Sequence, residues 1–411
     1  KNNKVQIAMF SGGRGTQSLS KAFVAHPQID LFLLLNAYDD GLSTGRLRKF
    51  IPGLLGPSDF RKNISCLIPD LDETGNSLKR LLEYRFPDNL ESKYAKKILS
   101  DLYNEKFERE GHSIDPKFWE DLQSISYKQA RYIVSNVLTF LDYWHQESKK
   151  GRTFDFCDCS FGNIIFSGAF LKSGHNFNQT ISDLENVLNP SGKVLNVTQG
   201  ENYVLVGLKS DGSYLCDESE IVSPQNSLAI EEIYLLEKYL TNSEVKKLNN
   251  FKNLELKKDY FKKKYREPKI SEEAKSILET ADLIIYGPGT QHSSLFPSYL
   301  TKGVGEAISD NIEAEKVFIA NTRVDYEIQG ENIKTLCQKL HYYLNRKGTI
   351  SIPPENFVTR YFFQDPVGMK NETNDHLDLE LDSFIFPSRE TLITDWESGP
   401  GKHSGKRVLD E

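Results

Sequence analysis

The sequence predicts an α/β fold: a mostly parallel sheet with helices on both faces, plus a helical insertion and a small antiparallel β patch. Three observations predict it. The chain opens on an apolar run, VQIAMF, followed by a glycine-rich turn and a segment with helical spacing. The next run, DLFLLLN, is apolar on both faces, as buried parallel strands are. Two later runs, DLIIYGPGT and KVFIANT, predict further strands.

Composition bounds the class of protein. The chain has 411 residues, of which 38% are hydrophobic and 27% charged, values typical of a globular protein. A net charge of -7 argues against a generally basic surface, so we expect no nucleic-acid partner. No apolar run reaches the roughly 20 residues that span a bilayer, and we expect no membrane association. Five scattered cysteines favour a reducing, cytoplasmic compartment over a disulfide framework.

The first elements form a βαβ unit. The segment TQSLSKAFVAH places Leu19, Ala22 and Phe23 at helical spacing between the two apolar runs, and Pro27 ends it. The crossover should be right-handed. A helix is also expected in FGNIIFSGAFLKSG, and another in ISEEAKSILETA. The polar, basic stretch NSEVKKLNNFKNLELKKDYFKKKYREPK is expected as a solvated helix or a mobile excursion.

The organisation that we expect is one α/β domain over 1–396. It carries a mostly helical insertion at about 77–150, with helices in LESKYAKKILSDLYNEKF and ARYIVSNVLTFLDYWHQ, and an antiparallel patch at about 193–235 that includes GKVLNVT. Residues 397–411 have no apolar face and are expected to form a flexible tail. Cys157 and Cys159 could be half of a metal site, but no second pair stands nearby, so buried thiols are favoured.

The first glycine turn is a candidate phosphate site. Gly12, Gly13 and Gly15 lack a Cβ, so phosphate oxygens could approach their backbone N–H groups, and the following helix adds its positive end. Arg14 and Thr16 could add side-chain donors. The turn is neither a P-loop nor the spaced dinucleotide motif, and a tight strand–helix turn is the alternative.

The second turn, in NAYDDGLSTGRLR, combines acids and bases. Asp39 and Asp40 follow a buried strand, and adjacent carboxylates suit Mg²⁺. Arg46 and Arg48 suit phosphate oxygens. An Asp-rich turn with surface ion pairs is the alternative. Downstream, in the loop GPSDFRKN, Asp59 could be a further metal ligand or the general base, although a plain loop has the same composition.

The third turn, YGPGTQHSSLFP, could also bind an anion. Gly287 and Gly289 flank a proline, and Thr290 and Ser293 follow with hydroxyl groups that can donate to an anion. His292 could act as acid, base or donor, or be structural. Because ligands of open α/β sheets bind outside the carboxyl ends of the strands, the three turns could converge on one crevice.

These segments together resemble the CofD/YvcK family, which contains 2-phospho-lactate transferases and YvcK-type nucleotide-sugar-binding proteins. The resemblance rests on SGGRGTQSL, DDGLSTGRLR, GPSDFRKN, GNIIFSGAF, VLNPSGKVLNVT and YGPGTQHSSLFPSYLTKGVGEAIS, in that order. The match is nearer to the YvcK branch. The family's Gly-His-Ser-x-Gly-Asn reads DCSFGN here, and its late Gln-Pro-Gly-Glu-Thr is missing from NTRVDYEIQGEN. We expect a divergent member.

The resemblance implies a Rossmann-like fold and a nucleotide diphosphate or nucleotide-sugar ligand, such as GDP or a UDP-sugar. In transferase members it implies Mg²⁺ and the transfer of a phospho-group-containing moiety from the nucleotide donor to an acceptor hydroxyl, with release of a nucleoside monophosphate. Asp39, Asp40 and Asp59 would hold the metal, with Asp40 and Asp59 catalytic. The residues that would bind the nucleotide and its phosphates are Gly12, Gly13, Arg14, Gly15, Thr16, Asn36, Ser43, Thr44, Arg46, Arg48, Arg61, Asn163, Gly287, Gly289, Thr290 and Ser293.

A second class of function is a non-catalytic nucleotide-sugar sensor that regulates carbon metabolism or cell-envelope synthesis. The closeness to the YvcK branch favours it. The expected partners are a small-molecule nucleotide donor and an acceptor that the sequence does not name. The helical segment could also supply the face of a homodimer.

Overall fold

The computed structural model describes residues 4–87, 97, 116–224, 226–365, 377–379 and 390–411. The chain forms two compact units. The first unit comprises Lys1–Tyr38 and Leu195–Glu411, and the second comprises Asp39–Val194. The single domain expected over 1–396 is thus interrupted by a second unit that begins just after the second strand, earlier than the predicted insertion at 77.

The strands lie close to the predicted apolar runs. In chain order they are Val5–Phe10 (β1), Ile29–Leu35 (β2), Lys193–Asn196 (β3), Val204–Lys209 (β4), Tyr214–Leu215 (β5), Ile230–Leu236 (β6), Leu283–Tyr286 (β7), Glu315–Ile319 (β8), Arg360–Gln364 (β9), Glu390–Thr394 (β10), Glu397–Gly399 (β11) and Lys402–His403 (β12). The last four residues of β1 and the last three of β2 are buried, as expected of strands covered on both faces.

The main sheet has seven strands in the order β10-β9-β8-β7-β1-β2-β3. The pairings of β1 with β2 and β7, of β8 with β7 and β9, and of β9 with β10 are parallel. Strand order therefore runs one way from β1 to β3 and the other way from β7 to β10. The reversal lies between β1 and β7, which is where ligands bind in doubly wound folds. The predicted Rossmann-like α/β fold is confirmed.

A separate three-stranded antiparallel sheet has the order β5-β4-β6. It confirms the antiparallel patch, with one correction. The segment GKVLNVT, predicted to belong to this patch, supplies β3 at the edge of the main sheet instead. Its short apolar alternation fits either kind of strand, and its neighbour in the sheet decides between them.

The first unit's helices include the one that follows the first glycine turn. They run over Gln17–Ala25, Glu218–Val222, Asn242–Asn249, Leu254–Lys264, Glu272–Thr280, Phe296–Tyr299, Val304–Asp310, Ile333–Leu344 and Gly405–Asp410, with a π-helical turn at Gln291–Leu295 and a 3₁₀ turn at Pro354–Asn356. The polar, basic stretch, expected as a solvated helix or a mobile excursion, forms the two helices Asn242–Asn249 and Leu254–Lys264, and each buries one apolar side chain, Leu248 and Phe261. Within the described ranges, no helix combines the length and apolar composition that a bilayer span would need.

The second unit is helical. Its described helices run over Leu42–Phe50, Ser58–Leu67, Glu73–Glu83, Pro116–Ser124, Tyr127–Lys149, Phe161–Lys172 and Phe177–Leu188. In the helix Tyr127–Lys149, the side chains of Ile133, Val137, Phe140 and Trp144 are buried in the core, and Leu141 beside them is half-buried. The helix predicted in LESKYAKKILSDLYNEKF lies, apart from residue 97, outside the described residues.

Residues 397–411 do not form the tail that the sequence indicated. Strands β11 and β12 pair as an antiparallel hairpin, and the helix Gly405–Asp410 follows. Gly405 lies so close to the helix Gln17–Ala25 that a Cβ on it would stand 2.2 Å from the carbonyl oxygen of Ser18. His403 and Val408 are buried. The prediction failed because close contacts with the helix Gln17–Ala25 hold this segment, although it has no apolar stripe of its own.

Candidate functional site

The first and third glycine turns pack against each other at the switch point between β1 and β7. A Cβ on Gly12 would stand 2.1 Å from the Cβ of Ser294, and one on Gly15 would stand 2.8 Å from the Cα of Gly289. A Cβ on Gly287 would stand 2.6 Å from the carbonyl oxygen of Phe10. Three of the predicted phosphate-binding glycines thus permit close contact between segments of the protein itself.

Gly13 differs from its neighbours. Its φ of +56° is one that glycine adopts readily, and among the described residues no atom lies within 4 Å of where its Cβ would stand. It lines a cavity of about 330 Å³ together with Gly12, Arg14, Gly15, Gly289 and Thr290. Arg14 is exposed and supplies a cation at the opening turn. Of the three turns predicted to converge, the first and third thus line one cavity, and the second, from Asp39 onward, belongs to the second unit.

Two predicted ligand-binding side chains of the first unit have internal partners instead. The Thr16 hydroxyl is fully buried and pairs with the Ser11 hydroxyl. The Asn36 amide donates to the Ser294 carbonyl and, at 3.4 Å, to the Ser298 hydroxyl, while its oxygen accepts from the backbone of Tyr38. Asn36, which the sequence predicted to bind the nucleotide, therefore ties the end of β2 to the third turn.

The N–H groups that open the π-helical turn are also occupied. Glu327 Oε2 accepts from the backbone N–H groups of His292 and Ser293 at 2.9 Å, and Oε1 accepts from the Ser293 hydroxyl at 2.5 Å. A carboxylate of the protein thus takes the place that we predicted for a ligand phosphate at Ser293. Burial, reinforced by Asp325, raises the pKa of Glu327 to about 8.

His292 is structural. Its side chain is fully buried, and its Nε2 lies 3.2 Å from Lys339 Nζ. Burial, together with the Lys339 charge, lowers the pKa of His292 well below its usual value. The imidazole is enclosed and is not among the side chains that line the cavity, so the structural alternative fits it better than the role of acid or base.

Sequence reasoning missed the wall of the cavity that follows β8. The lining residues there are Asn321, Thr322, Arg323, Val324 and Asp325. Asn321 holds the third turn, because its Nδ2 donates to the Gly289 carbonyl at 2.9 Å and its Oδ1 accepts from Gln291 at 2.7 Å. Asn321 and Thr322 end the run KVFIANT and the other three residues directly follow it, so the rule used for the other three turns would have found them. Gly401 and His403 complete the lining, and no sequence signal marks them.

In the second unit, the predicted residues stand at the first turns of three helices. Thr44, Ser58 and Asn163 lie near the starts of Leu42–Phe50, Ser58–Leu67 and Phe161–Lys172. The hydroxyls of Thr44 and Ser58 pair, and Asn163 Nδ2 donates to Ser58 Oγ at 2.9 Å. DDGLSTGRLR and GPSDFRKN, expected as a turn and a loop, therefore each continue into a helix, and three positive helix ends meet.

The arginines of the second unit also have internal partners. Arg61 Nε donates to Asn163 Oδ1 at 3.0 Å, and its Nη1 lies 2.6 Å from Glu83. Gly162 makes room for this side chain, since a Cβ there would stand 2.4 Å from Arg61 Cδ. Arg48 Nη1 lies 3.6 Å from Asp40, and both side chains are almost fully buried. Ser43, which lies between them in the sequence, is also buried. Arg46 is half-exposed and contacts the Cys157 carbonyl and Asp155.

Asp39 and Asp59 are half-buried acids whose charges interact. Burial, and next the Asp59 carboxylate, raise the pKa of Asp39. Asp59 lies 3.1 Å from Lys62 Nζ. Within the described residues no group of three or more His, Cys, Asp or Glu side chains could hold a metal ion. Two carboxylates nonetheless fit Mg²⁺, which proteins hold through one or two carboxylates together with waters and phosphates.

The cysteines agree with the favoured interpretation. Cys159 is a buried free thiol, and burial raises its pKa to about 12. Cys157 is a half-buried free thiol. Burial in these surroundings fits a structural thiol better than a reactive one.

The predicted residues thus fall into two groups, one in each unit. The family model described as 2-phospho-L-lactate transferase CofD matches residues 7–367, which include both groups. The chain belongs to the CofD family. Its relatives include the gluconeogenesis factor of Halalkalibacterium halodurans, 24% identical over 77% of this chain and 67% of the relative. The gluconeogenesis factor of Bacillus subtilis is 23% identical over 77% and 68%.

Two further similarities extend over nearly the whole chain. An uncharacterized protein of Saccharomyces cerevisiae is 22% identical over 93% of each chain. A crystal structure of a UPF0052 family protein from Bacillus halodurans is 19% identical, with a TM-score of 0.64 over 99% of this chain and 98% of that one. The structural similarity supports the fold that the CofD family membership implies.

Proposed function

We propose that this CofD family protein binds a nucleotide diphosphate or nucleotide sugar through the cavity between the first and third glycine turns. One observation carries the proposal: a ligand-sized cavity at the switch point between β1 and β7 is floored by Gly13 and Gly289 and carries the exposed Arg14. Open backbone at Gly13 and a nearby guanidinium suit phosphate oxygens, whose approach a side chain at Gly13 would hinder.

Asp39 and Asp59 are the proposed magnesium ligands in the second unit. Their mutual repulsion is relieved by a cation, which is the reason to place Mg²⁺ there. Bound Mg²⁺ would neutralise charge on phosphate oxygens. Asp40 contacts Arg48 and remains a predicted catalytic residue and metal ligand, as Asp59 remains a predicted base.

The activity that we propose is a CofD-type transfer. An acceptor hydroxyl oxygen attacks the phosphorus of the nucleotide-activated donor, a new P–O bond forms, and the phosphoanhydride bond breaks. The nucleoside monophosphate leaves with the bonding electron pair, and the hydroxyl proton passes to a carboxylate, Asp59 or Asp40. Positioning and charge neutralisation supply most of the catalysis in such transfers.

Binding is tested by a thermal-shift panel of GDP, UDP, ADP and their sugars, with and without Mg²⁺. A ligand at 100 times its Kd stabilises the native state by about 2.7 kcal/mol, which gives a clear shift. Gly13→Ala should weaken binding of the nucleotide that gives a shift, whereas Gly174→Ala, at an equally open left-handed glycine of the second unit outside both groups, should not. No shift with any nucleotide diphosphate would refute the proposal.

The magnesium role has its own test. Asp39→Asn and Asp59→Asn should each weaken Mg²⁺ binding measured by calorimetry, while the exposed Asp142→Asn should leave it unchanged. Turnover, followed as release of nucleoside monophosphate, should fall in Asp59→Asn by at least about a hundredfold if the carboxylate is the base.

A regulatory, non-catalytic role is the second candidate. The observation that favours it is that the bacterial relatives above bear the name gluconeogenesis factor. Tight binding of a nucleotide sugar with no monophosphate released over long incubation would support this role over transfer. Stoichiometric release of nucleoside monophosphate that depends on an added acceptor would instead favour the transferase activity.

A further inference from the structure

The hairpin β11–β12 lines the cavity that we assign to the nucleotide. Gly401 and His403 belong to the lining, on the side of the residues that follow β8. The CofD match ends at residue 367, so this part of the wall lies outside it.

The hairpin is anchored on several sides. Trp396 stacks on Phe362 with ring centroids 4.7 Å apart, and its indole N–H donates to the Phe363 carbonyl at 3.0 Å. His403 is buried, and its Nε2 lies 3.0 Å from the carbonyl oxygen of Ala320, at the end of β8. These contacts hold the hairpin against the main sheet with little freedom to move.

The hairpin also orients Arg323, a cationic side chain that lines the cavity. Glu397 meets Arg323 at two points: Nε donates to Oε1 at 3.0 Å, and Nη2 donates to Oε2 at 3.1 Å. Glu397 Oε1 also accepts from the Gly401 N–H at 2.9 Å. The side chains of Arg323 and Glu397 are only 15% and 5% exposed. A two-point pair of this kind fixes the plane of a guanidinium as well as its position.

We propose that Arg323 is an anion-binding residue of the nucleotide cavity and that Glu397, on the hairpin, is the positioning residue that aims it. The inference rests on the proposed function and adds to it the element that orients the charge. The ligand group that Arg323 contacts is a phosphate or diphosphate oxygen, because a planar, pre-oriented guanidinium matches such oxygens.

The test is binding of GDP and of inorganic pyrophosphate, measured by calorimetry on the full chain. Arg323→Gln should weaken both by about tenfold, the loss of roughly one charge-assisted contact. Glu397→Asp keeps the charge but shortens the side chain, so it misaligns the pair and should weaken both about fivefold. Arg323→Lys should fall between wild type and Arg323→Gln. Lys402→Gln, an exposed hairpin cation outside the lining, is the matched control and should bind as wild type does.

A double variant separates positioning from general structure. In the Arg323→Gln background, Glu397→Asp should change affinity by less than about twofold, because its effect passes through Arg323. An equal loss in both backgrounds would overturn the positioning role. Wild-type affinity in Arg323→Gln would overturn the inference while leaving the proposed function intact. Failure of wild-type protein to bind pyrophosphate, GDP, UDP and ADP would remove the proposed function and this inference together.

Discussion

Gly12 and Gly13 are adjacent, yet replacing them with alanine should have different costs. A Cβ on Gly12 would stand 2.1 Å from the Ser294 Cβ, well inside the 3.0 Å below which a Cβ essentially never approaches another atom, so the third turn must shift. Overpacking of this severity costs about 3 kcal/mol. Alanine at Gly13 meets no atom of the described residues within 4 Å, and it is disfavoured only by the φ of +56°. That conformation costs about 1 to 2 kcal/mol, part of which the stiffer unfolded chain offsets.

The assay is urea-induced unfolding followed by far-ultraviolet circular dichroism. Gly12→Ala should lose about 2 kcal/mol more than Gly13→Ala in the free energy of unfolding. Ser294→Gly removes the atoms that clash, so the double variant with Gly12→Ala should recover at least half of the loss, after correction for Ser294→Gly alone. Equal losses at Gly12 and Gly13, or a double variant with no recovery, would show that the two turns do not pack as described.

Three further outcomes are expected. Because the folded-state pKa of Glu327 is raised to about 8, its contribution to stability is full below the unfolded pKa and is lost as pH rises towards 8, by at most about 1.4 kcal/mol per pH unit. Glu327→Gln should flatten this decline in urea titrations from pH 5 to 8.5, and an unchanged slope would contradict the expectation. Leu42 is 75% exposed and has a φ of +41°, so Leu42→Gly should leave stability unchanged or raise it by up to about 1 kcal/mol. Leu71→Gly, at an exposed leucine without a positive φ, should lower stability. Arg48→Gln should destabilise by about 3 kcal/mol, since it leaves Asp40 buried without its nearby cation; a loss below 1 kcal/mol in thermal unfolding would argue against that contact.

The strands and the first helices could be predicted because their signals are local. VQIAMF and DLFLLLN carry buried-strand composition over six or seven residues, and Gln17–Ala25 carries helical spacing. The assignment of GKVLNVT could not be made locally, because its four-residue strand reads the same in either sheet. The prediction for residues 397–411 was wrong for a related reason: their structure depends on contacts with helix Gln17–Ala25 and with the end of β8, which composition does not reveal.

The candidate site could be predicted as a set of residue types but not as a set of contacts. The glycines stand where the sequence placed them, yet what approaches Gly12 is Ser294, which lies far along the chain. Asn36, Arg61 and Asn163 carry the polar groups that a nucleotide would need, and each uses them on a protein partner. The occupation of Ser293 by Glu327 could not be foreseen, because the two segments meet only in three dimensions.

The locked turns constrain how a binding protein of this design can change its ligand. The turns beneath the cavity pack closely, Gly12 on the Ser294 side chain and Gly15 and Gly287 on main chain, so few substitutions at these glycines are tolerated. Diversification must then proceed through the side chains that line the cavity, such as Arg14, Thr290 and Arg323. Related proteins could thus bind phosphate through the same backbone and still differ in the chemical group attached to that phosphate.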